Sequence, residues 1–148
     1  MKKIKFIKAE VNHLDAIMEV ENKCFTAPWT INMFLSELYG ENALLYILME
    51  NNVIVGYISL FKIFDELHVN NIAVDPSFQG KGYASMIMEK TIEIARNLSI
   101  AFITLEARKS NTPAVELYKK YGFETLGSRK NYYKTPKEDA LIMTKELI

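Results

Sequence analysis

The chain has 148 residues, one typical domain's worth, which buries roughly two-thirds of the surface its unfolded form would expose; one domain over residues 1–148 is expected. Eighteen basic and eighteen acidic residues cancel, leaving no broad electrostatic footprint for nucleic acid or an anionic membrane. Cys24 is the one cysteine, so no internal disulfide can form, and MKKIKFIKAE at the N-terminus interleaves charges where a signal peptide would carry an apolar core. The most apolar run, Val53 to Phe64, is broken by Gly56, Ser59 and Lys62 and falls far short of the roughly 20 residues that span a bilayer. A cytoplasmic protein with no membrane segment is the expectation.

Ile4 and Phe6 alternate with lysines, the period-two pattern of an edge strand. Asn12 is expected to cap a first helix, with Leu14, Ile17, Met18, Glu21 and Phe25 at helical spacing; only Glu21 is out of character on that face. Thr26-Ala27-Pro28-Trp29 forms a loop, since Pro28 biases Ala27 away from helix, and Thr30 caps a second helix that Gly40 ends. Ala43 to Met49 and Val53 to Phe64 read as a β-hairpin around Asn51-Asn52, and a reversal at Asp65-Glu66 starts a third antiparallel strand, Leu67 to Val74.

A helix follows, with Tyr83, Met86, Ile87, Ile94, Ala95 and Leu98 along one side. Ile100 to Glu106 is apolar on both faces apart from Thr104, which predicts a buried strand parallel to the one before the helix. Asn111 or Thr112 caps a short helix with Pro113 in its first turn; Ala114, Leu117, Tyr118 and Tyr121 share a face and Gly122 supplies the stop. Phe123 to Arg129 and Asp139 to Leu147 close the chain as two antiparallel strands joined through a loop at Asn131 to Pro136.

Between the third strand and its helix lies NNIAVDPSFQGKGYAS, residues 70 to 85. A glycine-bearing turn that opens a helix presents unpaired N–H groups and the positive end of the helix dipole, a place for a pyrophosphate. A dinucleotide-binding unit fits poorly: DPSFQ separates strand from glycines, Ser85 stands where a third glycine belongs, and the chain is too short for two mononucleotide-binding halves. A P-loop fails for want of a Gly-Lys-Ser/Thr ending. The stretch instead resembles the acetyl-CoA loop of the GCN5-related N-acetyltransferase superfamily, Gln/Arg-x-x-Gly-x-Gly/Ala, here Gln79-Gly80-Lys81-Gly82-Tyr83-Ala84.

The order of elements also resembles that fold across essentially the whole chain. It implies an α/β (α+β) domain with a central mixed, mostly antiparallel sheet of about seven strands, four helices and a splayed parallel pair at the cofactor site. Within the superfamily the pieces Pro28-Trp29, Asn71 to Val74, Leu105 to Asn111, Gly122-Phe123 and Arg129 with Tyr132-Tyr133 resemble the branch that acetylates the N-terminal alanine of a small-subunit ribosomal protein.

The resemblance implies acetyl-CoA as cosubstrate. Ile72, Ala73 and Val74 would offer backbone groups to the pantetheine arm, residues Gln79, Gly80, Lys81, Gly82, Tyr83, Ala84 and Ser85 would hold the pyrophosphate, and Asn111 would add a side-chain contact. Many family members carry arginine at the position of Gly80, so one charge contact is missing here. Glu106 matches the family's proton acceptor and Tyr118 its proton donor, while Pro28, Trp29, Tyr132 and Tyr133 match its acceptor-lining segments. The amine must be neutral to attack, and an α-amine, with a pKa of about 7.7 to 8.0, needs only a modest base.

The implied partner is an acceptor protein's N-terminus, with neither nucleic acid nor membrane involved. Other N-termini, lysine side chains, small-molecule amines and a non-catalytic acyl-CoA sensor remain open alternatives. His68 alternates with Glu66 on the strand into the motif and is a candidate second base; Cys24 reads as core filler, and no cluster has metal-ligand spacing.

Overall fold

The computed structural model describes residues 2–147. Seven strands form one sheet: β1 (Ile4–Lys8), β2 (Ala43–Glu50), β3 (Val53–Ile63), β4 (Glu66–Val74), β5 (Phe102–Arg108), β6 (Glu124–Lys134) and β7 (Lys137–Glu146), in the order β1-β2-β3-β4-β5-β7-β6. Only β4 and β5 pair in parallel. Helices α1 (Leu14–Cys24) and α2 (Ile31–Tyr39) cover one face, and α3 (Tyr83–Asn97) and α4 (Thr112–Lys120) the other. This is the expected mixed, mostly antiparallel sheet with four helices.

The two faces carry separate cores. Leu45 and Ile47 of β2 meet Ile17, Val20 and Phe34 beneath α1 and α2, while Leu48, Leu67, Val69, Ile103 and Leu105 pack under Ile87, Met88 and Tyr118 of α3 and α4. Alternation along each strand allots residues to one core or the other. The expected hairpin turn is present, with Asn51 and Asn52 at φ of 51° and 68°.

One irregularity in β4 changes that alternation. Ser59 pairs with Asn71 and Leu60 with Val69, so Asn70 is an extra residue, a β-bulge. Before it, Leu67 and Val69 face α3; beyond it, Ile72 and Val74 join that core and Ala73 joins the opposite one. Asn70 and Asn71 therefore both reach the α1/α2 side, where their amides meet Glu37 and Glu21 respectively.

Several expectations need correction. The first helix is not capped by Asn12: a short 3₁₀ turn, Val11–His13, precedes α1, and Glu10 and His13 form its capping box. The buried face of α3 runs Tyr83, Ile87, Met88, Thr91 and Ala95, and Leu98 is exposed; Thr91 is admitted because its hydroxyl donates to the Ile87 carbonyl at 2.8 Å. β5 is buried on one face only, with Ile103, Leu105 and Ala107 inward and Phe102 exposed, because no helix covers its other side. Tyr132 and Tyr133 belong to β6 itself, not to a loop; the strand runs on to Lys134 by absorbing irregular register at Thr125/Gly127 and Arg129/Tyr133.

Gly56 in β3 sits where two elements press closest. A Cβ there would lie 2.7 Å from the Ala73 carbonyl oxygen and 3.1 Å from Ile87 Cδ1. Gly56→Ala is expected to cost about 1 to 3 kcal/mol through overpacking, lowering Tm by on the order of 2–4 °C per kcal/mol. Calorimetry checks it; an unchanged Tm would mean that β4 yields at Ala73 without cost.

Candidate active site

The parallel ladder between β4 and β5 ends at Val69 and Leu105, although β4 stays paired to β3 as far as Val74 and β5 to β7 as far as Arg108. Two strands anchored on their outer sides and unpaired on their inner sides leave a wedge. Glu106 is the first β5 residue beyond the last parallel pair. Its Oε2 lies 2.7 Å from His68 Nε2, and its Oε1 lies 4.0 Å from Arg129 Nε.

His68 Nδ1 sits 2.8 Å from Asn70 Oδ1, Asn70 Nδ2 donates to Glu37 Oε2 at 3.4 Å, and the Ser59 hydroxyl donates to that same oxygen at 2.9 Å. The chain of contacts fixes the His68 ring edge-on to the Glu106 carboxylate. Phe61, Glu66, His68, Glu106, Arg129 and Ile142 line an open groove of about 450 Å³ on this uncovered side of the sheet.

Val74 leads into Asp75, whose carboxylate accepts from Ser77 N at 2.9 Å and pairs with Lys23 at 3.1 Å, turning the chain toward the glycines. Gly80 and Gly82 have φ of 79° and 82°, in the left-handed region, and a Cβ built on either meets nothing within 4 Å. The loop front is open, and Gly82 is itself the N-cap of α3.

Not every side chain of the motif points at that opening. Gln79 Nε2 donates back to the Val74 carbonyl at 3.0 Å, and Cys24 Sγ shares that oxygen at 3.2 Å, so the Val74 oxygen is already engaged. Tyr83 is buried against Phe78, over which Lys81 Nζ sits at 5.2 Å from the ring centroid. What the motif leaves accessible is therefore chiefly backbone, with Ala84 and Ser85 half-buried at the start of α3.

Asn111 caps α4, its Oδ1 accepting from Ala114 N at 3.3 Å. About two turns further along, Tyr118 is 6% exposed and packs on Phe123. Burial, with a smaller contribution from Tyr133, pushes its phenol up to about 12. Tyr133 is likewise pushed up to about 12, first by burial and then by Tyr132, and it also feels Glu106 and Arg108. Tyr133 thus lies within electrostatic reach of both residues expected to handle protons. Arg108 stacks 4.2 Å over its ring and donates to the carbonyls of Thr135 and Pro136 at 3.0 and 2.9 Å, tying down the β6–β7 turn.

Pro28 and Trp29 lie in the α1–α2 loop, which approaches the β6–β7 turn through Thr26. Thr26 Oγ1 donates to the Thr135 carbonyl at 3.3 Å, so the α1–α2 loop meets the β6–β7 turn. Trp29 is half-buried on Phe34, and its N–H donates to Glu21 Oε2 at 2.9 Å.

Sequence reasoning missed Asn70, Glu37, Arg108 and Tyr57 as parts of this neighbourhood. Only Arg108 offered a signal, as a charge at the end of an otherwise buried strand; the others depend on the bulge and on contacts between distant segments. Among the described residues no group of three or more His, Cys, Asp or Glu side chains is disposed to hold a metal, and no helix is long and apolar enough to cross a membrane.

The profile of the Acetyltransferase (GNAT) family matches residues 14–123. This chain belongs to that family. Its sequence is 34% identical over 136 residues to the [ribosomal protein bS18]-alanine N-acetyltransferase of Escherichia coli K12, covering 90% of this chain and 91% of that one. The crystal structure of the ribosomal-protein-S18-alanine N-acetyltransferase from Escherichia coli superposes with a TM-score of 0.90 at 32% identity, over 99% of this chain and 94% of the other. The NatC complex bound to Gag peptide and CoA shares the fold, with a TM-score of 0.84 at 20% identity over 99% of each chain.

In this acetyltransferase a phenol pushed up to about 12 keeps its proton through neutral pH and past the ordinary tyrosine range near 10. A spectrophotometric tyrosinate titration of Tyr118→Phe minus wild type should therefore lack a component near pH 10 and differ only near pH 12. A missing component at 10 in the variant would show that Tyr118 titrates normally.

Proposed function

We propose that this acetyltransferase transfers the acetyl group of acetyl-CoA directly to the N-terminal α-amine, alanine by preference, of a small-subunit ribosomal protein. The observation that carries the reading is the wedge between β4 and β5. It sets Glu106 at one wall and opens toward the glycine turn, while the Escherichia coli sequence and crystal structure to which the chain is similar carry that acceptor in their names. The family's donor, acetyl-CoA, supplies an activated acetyl thioester.

Backbone groups alternate sides along β4, so Ile72 and Val74 face its unpaired inner edge while Ala73 between them is turned to β3; the Ile72 carbonyl and the Val74 N–H suit an extended amide-bearing arm, the Ile72 N–H and the Val74 carbonyl being already engaged. Gly80 to Ser85 present free space and the start of a fifteen-residue helix to a pyrophosphate. Lys81, its ammonium over the Phe78 ring, adds a cation at the loop's edge, and the absence of arginine at 80 is offset by open access to the amides. Asn111 has its Oδ1 on the helix cap, which leaves its Nδ2 to face the cofactor.

On the amine side, Glu106 takes the proton that the nitrogen sheds as the N–C bond forms, directly or through one water. His68 and Arg129 hold the carboxylate in place, and His68, 30% exposed in its side chain, gives the proton a way out to solvent. On the thiol side, Tyr118 donates its proton to the sulfur as the C–S bond breaks, so CoA leaves as a neutral thiol. Amine and acetyl thioester become amide and thiol with no charge left over. Pro28, Trp29, Tyr132 and Tyr133 form the walls against which the first peptide units lie.

Tyr118→Phe is expected to lower kcat by about a hundredfold or more with little change in acetyl-CoA affinity, and Glu106→Gln to impair the amine step in a way that higher pH partly relieves. Steady-state kinetics with calorimetric binding decide both; full activity in either variant removes that residue from the chemistry. Gly82→Val places a branched side chain at positive φ in the space a phosphate would occupy and should weaken CoA binding by about tenfold or more, whereas unchanged binding would move the pyrophosphate elsewhere.

The acceptor is tested by competition in a thiol-release assay. A peptide beginning with alanine, patterned on the ribosomal protein, should surpass by kcat/KM the same peptide with a blocked α-amine and a free lysine, as well as polyamines and aminoglycosides. A better rate with any of these replaces the N-terminal acceptor and leaves acetyl transfer standing.

A further inference from the structure

Glu21 is the residue out of character on the first helix, and none of the chemistry above uses it. It is 1% exposed at the C-terminal end of α1. No cation pairs with it among the described residues; every partner is a neutral donor. Oε2 accepts from Trp29 N at 2.9 Å, Oε1 accepts from the Tyr57 hydroxyl, and Asn71 Nδ2 reaches both oxygens at 3.2 and 3.4 Å. Asn71 also donates to the Tyr57 oxygen at 2.6 Å, and its own Oδ1 accepts from Ile72 N at 3.1 Å.

A buried carboxylate without a counter-charge is costly, and an apolar side chain of similar volume would pack the same place more cheaply. Its contacts say what it accomplishes instead. It joins α1 to β3 through Tyr57, to the α1–α2 loop through Trp29, and to the unpaired length of β4 through Asn71. The Trp29–Phe34–Tyr57 aromatic run, with centroids 5.2 and 5.4 Å apart, follows the same route in parallel. Of the two, only the hydrogen bond to the Trp29 N–H holds the loop's backbone; ring packing leaves it free to slide.

We propose that Glu21 is a positioning residue for the acceptor, its buried carboxylate fixing the Pro28–Trp29 loop against β4 and so setting the distance from the acceptor groove to the acetyl group. The proposal rests on the reading that this loop lines the groove. Two oxygens taking three donors is a geometry that a carboxylate meets and an amide does not. A glutamine keeps one acceptor and turns N–H groups toward donors, and an alanine leaves the Trp29 N–H without a partner.

Trp29 is the single tryptophan, so its emission reports on the loop alone. The experiment compares wild type, Glu21→Ala, Glu21→Gln and Tyr57→Phe, using as acceptor whichever amine the wild type acetylates best, so that a wrong acceptor class does not enter the result. Glu21→Ala is expected to raise acceptor KM about tenfold or more, to leave the acetyl-CoA Kd within about twofold, and to make Trp29 more accessible to acrylamide quenching. Glu21→Gln should fall between, and Tyr57→Phe, which spares the Trp29 bond, should stay near wild type in acceptor KM.

A lowered Tm with unchanged acceptor KM and unchanged quenching would overturn the proposal and leave Glu21 a packing residue. If Glu21→Ala does not fold, the same two readings on Glu21→Gln decide. Quenching needs no acceptor, so it tests Glu21 even if the acceptor reading fails.

Discussion

Parallel strands β4 and β5 share main-chain hydrogen bonds only as far as Val69 and Leu105, and the break coincides with the extra residue Asn70 in β4. A bulge bends the strand that carries it and strengthens its twist. Beyond this one, β4 follows β3 while β5 follows β7, and each inner edge is left with unpaired backbone groups. Unpaired edges are usually a liability, because they template pairing with other chains. Here the edge lies between two strands that diverge, each held on its outer side, so no edge of the sheet's outer rim is left unpaired by the break.

The same extra residue governs side chains. Had β4 kept its alternation, Asn71 would have faced α3 and its amide would have been buried among Ile87 and Met88 without a partner. With the bulge, Asn70 and Asn71 both turn to the α1/α2 side, one toward Glu37 and one toward Glu21. The polar network from Ser59 through Glu37, Asn70 and His68 to Glu106, and the second one around Glu21, both owe their registry to it. Buried polar groups are tolerable only when every member finds a partner, and no buried side-chain nitrogen or oxygen among the described residues lacks one.

The sequence was most legible where a feature is local. Asn51-Asn52, Thr30, Gly122 and the glycines at 80 and 82 each declare a backbone conformation within a few residues, and each is found as expected. Legibility fell where the deciding contact is remote. Asn12 had the right chemistry for a cap, but the chain enters the helix through a 3₁₀ turn whose capping box is Glu10 with His13, so Asn12 lies inside the turn and not at its start. β5 read as buried on both faces because its apolar content does not reveal that α1 and α2 stop short of it. Tyr132-Tyr133 looked like loop because Arg129, Lys130 and Asn131 interrupt any strand pattern, whereas Asp139 on the facing strand accepts from the Asn131 N–H at 2.8 Å and carries the ladder past the interruption.

This division bears on what such a chain can reveal about its chemistry. On the proposed reading the cofactor half of the site would be written in sixteen consecutive residues, 70 to 85, because a strand, a turn and a helix start are enough to present backbone to a pyrophosphate. The proposed acceptor half would be assembled from the α1–α2 loop, the uncovered side of β5 and the far hairpin. β5 is laddered to the hairpin, but the α1–α2 loop is held by single hydrogen bonds, Thr26 to Thr135 of the hairpin turn and Trp29 to Glu21 of α1, across separations of 109 and 8 residues. On that reading, substitutions in those ties would leave the donor loop intact while moving the walls that choose an amine. The family's shared donor and varied acceptors are the expected result of that arrangement: the local motif keeps its function through drift elsewhere, and the groove changes with any one of several distant contacts.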